Sequence, residues 1–302
     1  MRLLDNILYD MVYHSTPLIL AVLGGLFAYQ VNVLNIGLEG MIISGAFFGT
    51  LFIYLTGNYM LGIALAVVCT LIVGYVFAMF SISLKSNFII TGFGLNILVA
   101  AICTFLLKVM KLSNINITSL VEVNNLKIHL PVIKNIPVLS SILSGHPPIT
   151  YLSIVLIFVV AIVLYRTKFG VQLRAVGEDE EAAKSVGIKI TYYKYAAIMI
   201  GALLCALAGI NLSVERMALY TDNMVAGRGF IAIAAIYCGN GNPFKSSIYA
   251  ILFGLTKSLA INLGLYAGPI SGLFEMIPYL MIVLVLSLVS GIAAKKIRIR
   301  GY

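Results

Sequence analysis

Arg174-Ala175-Val176-Gly177-Glu178-Asp179-Glu180-Glu181-Ala182-Ala183-Lys184-Ser185-Val186-Gly187-Ile188 is a charged, helix-prone stretch inside a chain that is otherwise apolar. Consecutive acids from Glu178 to Glu181 open a short helix predicted over Asp179–Val186, where negative charge offsets the helix dipole. Ala182 and Ala183 are strong helix formers whose small side chains permit close approach by another surface. Gly187 then supplies a helix stop, because glycine takes the left-handed backbone of a C-terminal cap. A turn between two membrane spans needs only a few residues, yet this hydrophilic segment runs over residues 166–194. A rigid knob with a defined end can transmit a push; a floppy linker cannot. On periodicity alone, a partner-docking element and a solvated surface helix are equal readings.

The surroundings fix the class. The 302 residues are 61% hydrophobic and 10% charged, with mean hydropathy +1.04, against about 25% charged residues in soluble domains. The apolar residues fall in runs of about 17 to 25, long enough to cross a ~30 Å hydrocarbon core as helices. The alternation expected of a membrane β-barrel is absent. These features predict an all-α polytopic membrane protein of about eight or nine transmembrane helices in one domain over residues 1–302. The expected spans are Thr16–Tyr29, Gly37–Thr56, Met60–Ser83, Phe88–Met110, Thr150–Tyr165, Tyr192–Ser213, Gly227–Gly239, Ser246–Leu265 and Leu273–Ala293.

The first and seventh spans are short, and each adjoins a break rich in Gly and Asn, at residues 33–40 and 238–243. A broken helix is tolerated in a membrane where protein or water satisfies the freed backbone, which points to a transport path. A plain tight turn between ordinary helices is an equal alternative. If residues 166–194 face the cytoplasm, alternation puts Lys85, Lys245, Lys295, Lys296, Arg298 and Arg300 on that side too. Fewer basic residues (Arg2, Lys108, Lys111, Lys127, Lys134 and Arg216) then lie outside, as the positive-inside rule requires. That places the N-terminus outside and the C-terminus in the cytoplasm. Residues 111–149, with Pro131, Pro137, Pro147 and Pro148, form the long extracytoplasmic loop.

Other functions find no support. The net charge of +9 is divided among loops and the C-terminus, without a basic-aromatic surface for nucleic acid. Cys69, Cys103, Cys205 and Cys238 lie singly within apolar runs and read as small core residues. His14, His129 and His146 are scattered, with no metal-binding spacing. No catalytic set and no phosphate-cradling GxxxxGK[ST] loop is present, so ATP and its magnesium would be bound by a partner, and no cofactor is expected in this chain.

Motifs beyond the opening stretch sharpen the reading. Thr16-Pro-Leu…Gly24-Gly25…Asn35-Ile-Gly-Leu-Glu39-Gly40-Met41, Ile89-Ile-Thr-Gly…Leu95-Asn96 and Gly227-Arg228-Gly-Phe-Ile-Ala-Ile-Ala-Ala…Gly239…Asn242-Pro243 occur in this order over residues 16–265. Together with the RAVGE…AA…GI stretch they resemble the permease subunits of simple-sugar and nucleoside ABC importers. The likeness is to the branch whose receptors are basic-membrane-protein-type lipoproteins. The resemblance implies a type II-like importer fold, a cytoplasmic coupling loop over residues 166–194 on which the ATPase sits, and nucleosides or a related simple sugar as cargo. Its implied partners are a cytoplasmic ABC ATPase, an extracytoplasmic substrate-binding lipoprotein and a second, longer permease in the plasma membrane of a bacterium. Arg174, Gly177, Glu178, Ala182, Ala183, Gly187 and Ile188 carry the coupling motif. Cys238, Gly241 and Lys257 depart from the family pattern and leave the cargo open.

Polar residues inside spans are costly and tend to be paired or functional. Asn35, Glu39, Asn96 and Arg228 are therefore candidates for the translocation path. The two amides offer the donors and acceptors a nucleobase or ribose needs. Glu39 lies in the first turn of its span and reads first as a group that satisfies backbone at the break. Arg228 is expected to clamp Glu39, Glu215 or Asp222. Lys257 either snorkels to an interface or pairs with Glu275. The competing class is a secondary, ion-coupled carrier of small polar solutes using Glu39, Lys257 or Glu275. It leaves the charged segment unexplained.

Overall fold

The computed structural model describes residues 2–121, 123, 126–128, 144–265, 271–274 and 276–300. The elements are α1 (Arg2–Gln30), α2 (Leu38–Thr56), α3 (Tyr59–Ala78, continued by a π turn Met79–Ser83), α4 (Phe88–Val109) and β1 (Asn114–Asn116). There follow α5 (Pro148–Arg166), α6 (Lys168–Glu178), α7 (Glu180–Ser185), and α8 (Ile190–Ile210, continued by a π turn Asn211–Glu215). The chain closes with β2 (Leu219–Thr221), α9 (Arg228–Cys238), α10 (Pro243–Gly264), α11 (Ser271–Phe274) and α12 (Ile277–Arg300). Among the described residues, 8 helices are long and apolar enough to cross a membrane, and α9 is the short ninth.

Helices α1, α2 and α8 form the centre of the bundle, with 78%, 72% and 78% of their most apolar windows buried. The others surround them and turn apolar side chains such as Ile72, Ile90, Ile97 and Phe158 outward, the arrangement expected where the surrounding solvent is itself apolar. The central helices meet through small residues. A side chain on Gly24 would come within 2.8 Å of the Gly201 carbonyl, and one on Gly45 within 2.7 Å of that of Ala206. At Gly209 a Cβ would overlap the Ile42 carbonyl and lie 2.5 Å from the Ala46 nitrogen. Gly209→Leu is therefore expected to drive α2 from α8 and prevent accumulation of the folded chain. Gly94→Leu, at a site with open space around it, should be tolerated. Membrane abundance and detergent thermal stability measure the contrast; equal stability of the two variants would refute this packing.

The first span differs from expectation. It is not short: α1 has 29 residues and begins some four turns before Thr16. Asp5 and Asp10 mask the pattern, but they sit toward the helix start, where α10 supplies partners. Asn262 Nδ2 donates to Asp10 Oδ2 at 2.8 Å, and Ser258 Oγ to the Ile7 carbonyl at 2.7 Å. Pro17 lies within α1, and the Ser15 and Thr16 hydroxyls bond back to Met11 and Val12 at 2.6 and 2.9 Å. Such hydroxyl bonds are one way a membrane helix tolerates proline.

The two ends of the bundle are defined by contacts to α1. Near its start, Tyr9 Oη donates to the Gly145 carbonyl at 2.9 Å and stacks on His146. Its end packs against Gly177 of α6. Residues 144–147 and 166–194 thus lie at opposite ends. At the first end, β1 pairs antiparallel with β2, Ile115 opposite Tyr220. Sequence reading assigns residues 111–149 to loop. The strands escape it because they are three residues long and gain stability from burying Ile115 and Tyr220. Lys134, His129, Pro131 and Pro137 lie outside the described residues.

Candidate functional site

The 166–194 segment holds two helices where one is expected. Thr167 caps α6, its Oγ1 accepting from the Gly170 N–H at 3.1 Å, while Leu173 and Val176 are buried. Asp179 separates the helices and caps α7: its Oδ1 accepts from the N–H groups of Glu181 and Ala182 at 2.9 and 3.0 Å. The expected Asp179–Val186 helix is thus Glu180–Ser185 with Asp179 and Val186 as its caps. Gly187 takes φ +82°. Its N–H bonds to the Lys184 carbonyl and that of Ile188 to the Ala183 carbonyl, both at 3.0 Å, which is the paired closure of a Schellman motif. A Lys194–Glu180 ion pair ties α7 to α8.

The motif residues divide by environment. Ala183 is 3% exposed: its methyl belongs to the chain's own core, not to a surface presented outward. Ala182 and Glu178 are exposed, and Val186, which the motif does not include, is 76% exposed. Gly177 is a packing residue, since a side chain there would overlap the Gln30 carbonyl. It seats α6 directly on the end of α1. Arg174 lies over the Tyr165 ring, 5.1 Å from its centroid.

The first break is a built structure. Asn32 takes φ +56°, turning the chain back after α1, and the Asn96 amide on α4 holds the return. Its Oδ1 accepts from Gly40 N–H at 2.8 Å and its Nδ2 donates to the Ile36 carbonyl at 3.0 Å. Both amide groups are engaged and the residue is buried. Its polar atoms latch the break and the start of α2 to α4. Glu39 is committed likewise, accepting from Gly227 N–H at 2.8 Å and Gly229 N–H at 2.6 Å. It caps α9 from the first turn of α2, where the dipole of α9 favours a carboxylate.

Arg228 does not clamp Glu39. Its Nη1 donates to the Met224 and Val225 carbonyls at 2.7 and 2.8 Å, while the Glu39 carboxylate is held by the Gly227 and Gly229 N–H groups. Nor does it pair with Glu215, which accepts from Asn211 Nδ2 at 2.8 Å and Ile149 N–H at 3.3 Å, or with Asp222, which receives Thr104. The two carbonyls just before α9 are within hydrogen-bond reach of the guanidinium, and the Val225 carbonyl also accepts the Arg228 N–H. Lys257 lines a small cavity with His14 and Arg228; Glu275 lies outside the described residues. The second break is a tight turn: Asn240 and Gly241 take φ +50° and +67°, and Asn242 caps α10 ahead of Pro243.

The first break, α9 and the 166–194 segment converge on one cavity of about 850 Å³. Tyr29, Asn35, Phe88, Arg174, Glu178 and Tyr237 are among its walls. Asn35 is 4% exposed; its Nδ2 reaches Met41 Sδ at 3.9 Å while its Oδ1 has no hydrogen-bond partner. Sequence reading singled out Asn35 and Arg174 separately. That they share a wall was not legible, since it depends on α6 folding back beneath the end of α1.

The chain is thus a bundle of long apolar helices with two breaks and a charged helix pair at the end of α1. Residues 7–286 match the family described as "Branched-chain amino acid transport system / permease component", and the chain belongs to that family. It is 32% identical over 300 residues to a nucleoside ABC transporter permease protein of Lactococcus lactis, covering 95% of this chain and 93% of that one. It is 31% identical over 287 residues to a guanosine ABC transporter permease protein of Bacillus subtilis, covering 92% and 87%. A ribose import permease protein of Bacillus subtilis is 29% identical over 143 residues, 46% of this chain and 44% of that one. No solved structure matches the chain. The protein is a multi-pass permease subunit of an ABC importer, a transport component and not an enzyme. As such it works with an ATPase and a substrate-binding protein.

Proposed function

We propose that this permease forms half of a translocation path for nucleosides, in the plasma membrane of a bacterium, and that residues 166–194 are the segment through which the ATPase drives it. The observation that carries the coupling role is the junction of Gly177 with Gln30. A capped helix pair seated directly on a central helix passes a push to the bundle without a flexible intermediate. The nucleoside reading rests on the permeases from Lactococcus lactis and Bacillus subtilis whose names specify nucleosides, each aligned over most of its length. The other half of the path is a second, longer permease, and the receptor is a lipoprotein. Asn35, which lines the cavity, is the path residue; Glu39, Asn96 and Arg228 hold the backbone around it.

The coupling role sets the orientation. With residues 166–194 in the cytoplasm, the end of α1 is cytoplasmic and its start is outside. In a chain freed of its native cysteines, Lys111→Cys should react with an impermeant maleimide in intact cells. Lys184→Cys should react only after permeabilisation; its labelling in intact cells would overturn both orientation and coupling.

Cargo is tested by uptake of radiolabelled uridine, adenosine and ribose in cells expressing both permeases, the ATPase and the receptor. Nucleosides should enter, and Asn35→Ala should slow them all by about three- to tenfold, the effect of one neutral hydrogen bond of about 0.5–1.5 kcal/mol. Selectivity among bases should not change, because a path that bound one cargo tightly would trap it. Entry of ribose with nucleosides excluded would refute the cargo reading.

A further inference from the structure

Residues 222–227 are neither helix nor strand, yet they run alongside a membrane span. Thr104 Oγ1 of α4 donates to the Asp222 carboxylate at 3.1 Å. The Phe93 ring of α4 stacks on Phe230, with centroids 5.7 Å apart and 27° between planes. Thr104 and Phe93 are about 16 Å apart along α4, at a rise of about 1.5 Å per residue. We infer that this strip lines the outer half of the translocation path, and that the stacked Phe93–Phe230 pair is the gate closing it from the 850 Å³ cavity. The inference rests on the reading of this chain as half of a translocation path, and it names the residues that shut that path.

Irregular backbone at membrane depth is tolerated where protein covers it or where it lines water. Asp222, Asn223 and Ala226 are exposed, so this chain does not cover the strip by itself, and a carboxylate facing lipid is costly. The outward faces of α3 and α5 present Val68, Ile72, Val155 and Phe158 instead, side chains that suit lipid. A path between two permeases supplies the water and protein that the 222–227 strip needs.

The ring pair lies between two polar regions. Asp222 and Thr104 are on one side. On the other, Phe88 and Ile233 line the cavity, about 7.5 Å from Phe93 along α4 and about 4.5 Å from Phe230 along α9. Both rings stay exposed although they stack on each other, as rings do that meet across a groove and not in a packed core. A hydrophobic constriction of this kind closes a pore by dewetting. Contacts to α2 hold the two helices in place: Asn96, one turn from Phe93, accepts the Gly40 N–H, and Glu39 accepts the Gly229 N–H beside Phe230. Past the far end of α9, Gln30 Nε2 donates to the Gly241 carbonyl at 2.8 Å, and Tyr29 meets Tyr237 edge-on. Gln30 is also where Gly177 seats α6, so a displacement of residues 166–194 reaches Phe230 through α9.

The test places single reporter cysteines on either side of the pair, in a chain freed of its native cysteines and expressed with the second permease and the ATPase. Intact cells are treated with an impermeant thiol reagent. Thr104→Cys should react, and Ile233→Cys should be protected. Adding Phe93→Ala or, separately, Phe230→Ala should speed labelling of Ile233→Cys by about tenfold or more, because the constriction that excludes water is gone. Phe230→Leu keeps the apolar bulk and should stay protected. Both rings are exposed, so membrane abundance should be the same in all these variants. Protection of Ile233→Cys that persists in both alanine variants, or its labelling as fast as Thr104→Cys with the rings intact, would overturn the gate. An unreactive Thr104→Cys has a different meaning: the path does not run along this face, and the half-path reading fails there together with the gate.

Discussion

In Val186→Asp, the ATPase is expected to be lost from the purified transporter while the chain itself remains folded in the membrane. Val186 caps α7 at the tip of a polar segment and is 76% exposed, so its apolar surface has little cover from its own chain. Burying a valine side chain in a partner's groove contributes about 1.5–3 kcal/mol. An aspartate there forfeits that gain and adds a desolvation cost of several kcal/mol. Each 1.4 kcal/mol is about tenfold in affinity, so association should weaken by more than about a hundredfold. Ala183→Glu makes the informative contrast. Because Ala183 is 3% exposed, a glutamate must break α7 out of its seat, and lowered thermal stability should accompany loss of the ATPase. Undiminished co-purification with Val186→Asp would sink the docking assignment.

Glu39→Ala is expected to lower the melting temperature strongly and to abolish uptake of every cargo alike. The Glu39 carboxylate accepts two backbone N–H groups at the start of α9. The approach is close enough that a side chain on Gly229 would lie 2.5 Å from the Glu39 nitrogen. Losing the acceptor leaves both N–H groups without a partner, at about 1–3 kcal/mol each. Glu39→Gln keeps one carbonyl oxygen and should fall between wild type and Glu39→Ala in melting temperature. A direct role in cargo contact would instead change preference among nucleosides without lowering stability, and that outcome would refute the capping role.

The positions of most spans were legible because hydropathy is a local property: α2, α3, α4, α5, α8 and α10 lie close to the expected boundaries. The start of α1 was not, because Asp5 and Asp10 look like a loop until Asn262 of α10 is placed beside Asp10. The paired strands were hidden for a similar reason, since Asn114–Asn116 and Leu219–Thr221 find each other only across the fold. Within the charged segment, the left-handed Gly187 stop was readable from residue type, and its φ of +82° agrees. The burial of Ala183 was not readable, because Ala182 and Ala183 are chemically identical and only the direction in which α7 faces the bundle separates them.

By itself the sequence determined that the chain is a helical membrane protein, where its helices break, and which importer family it resembles, because chain hydropathy, Gly and Asn at turns, and a charged insert act over a few residues. Only the tertiary structure decided what the polar residues do. Asn96 became a latch, Glu39 a cap and Arg228 a donor to its own preceding turn, while Asn35 was left beside a cavity with its acceptor oxygen buried and unmatched. Each side chain could make several hydrogen bonds, and which it makes is fixed by the backbone brought beside it from the far end of the chain.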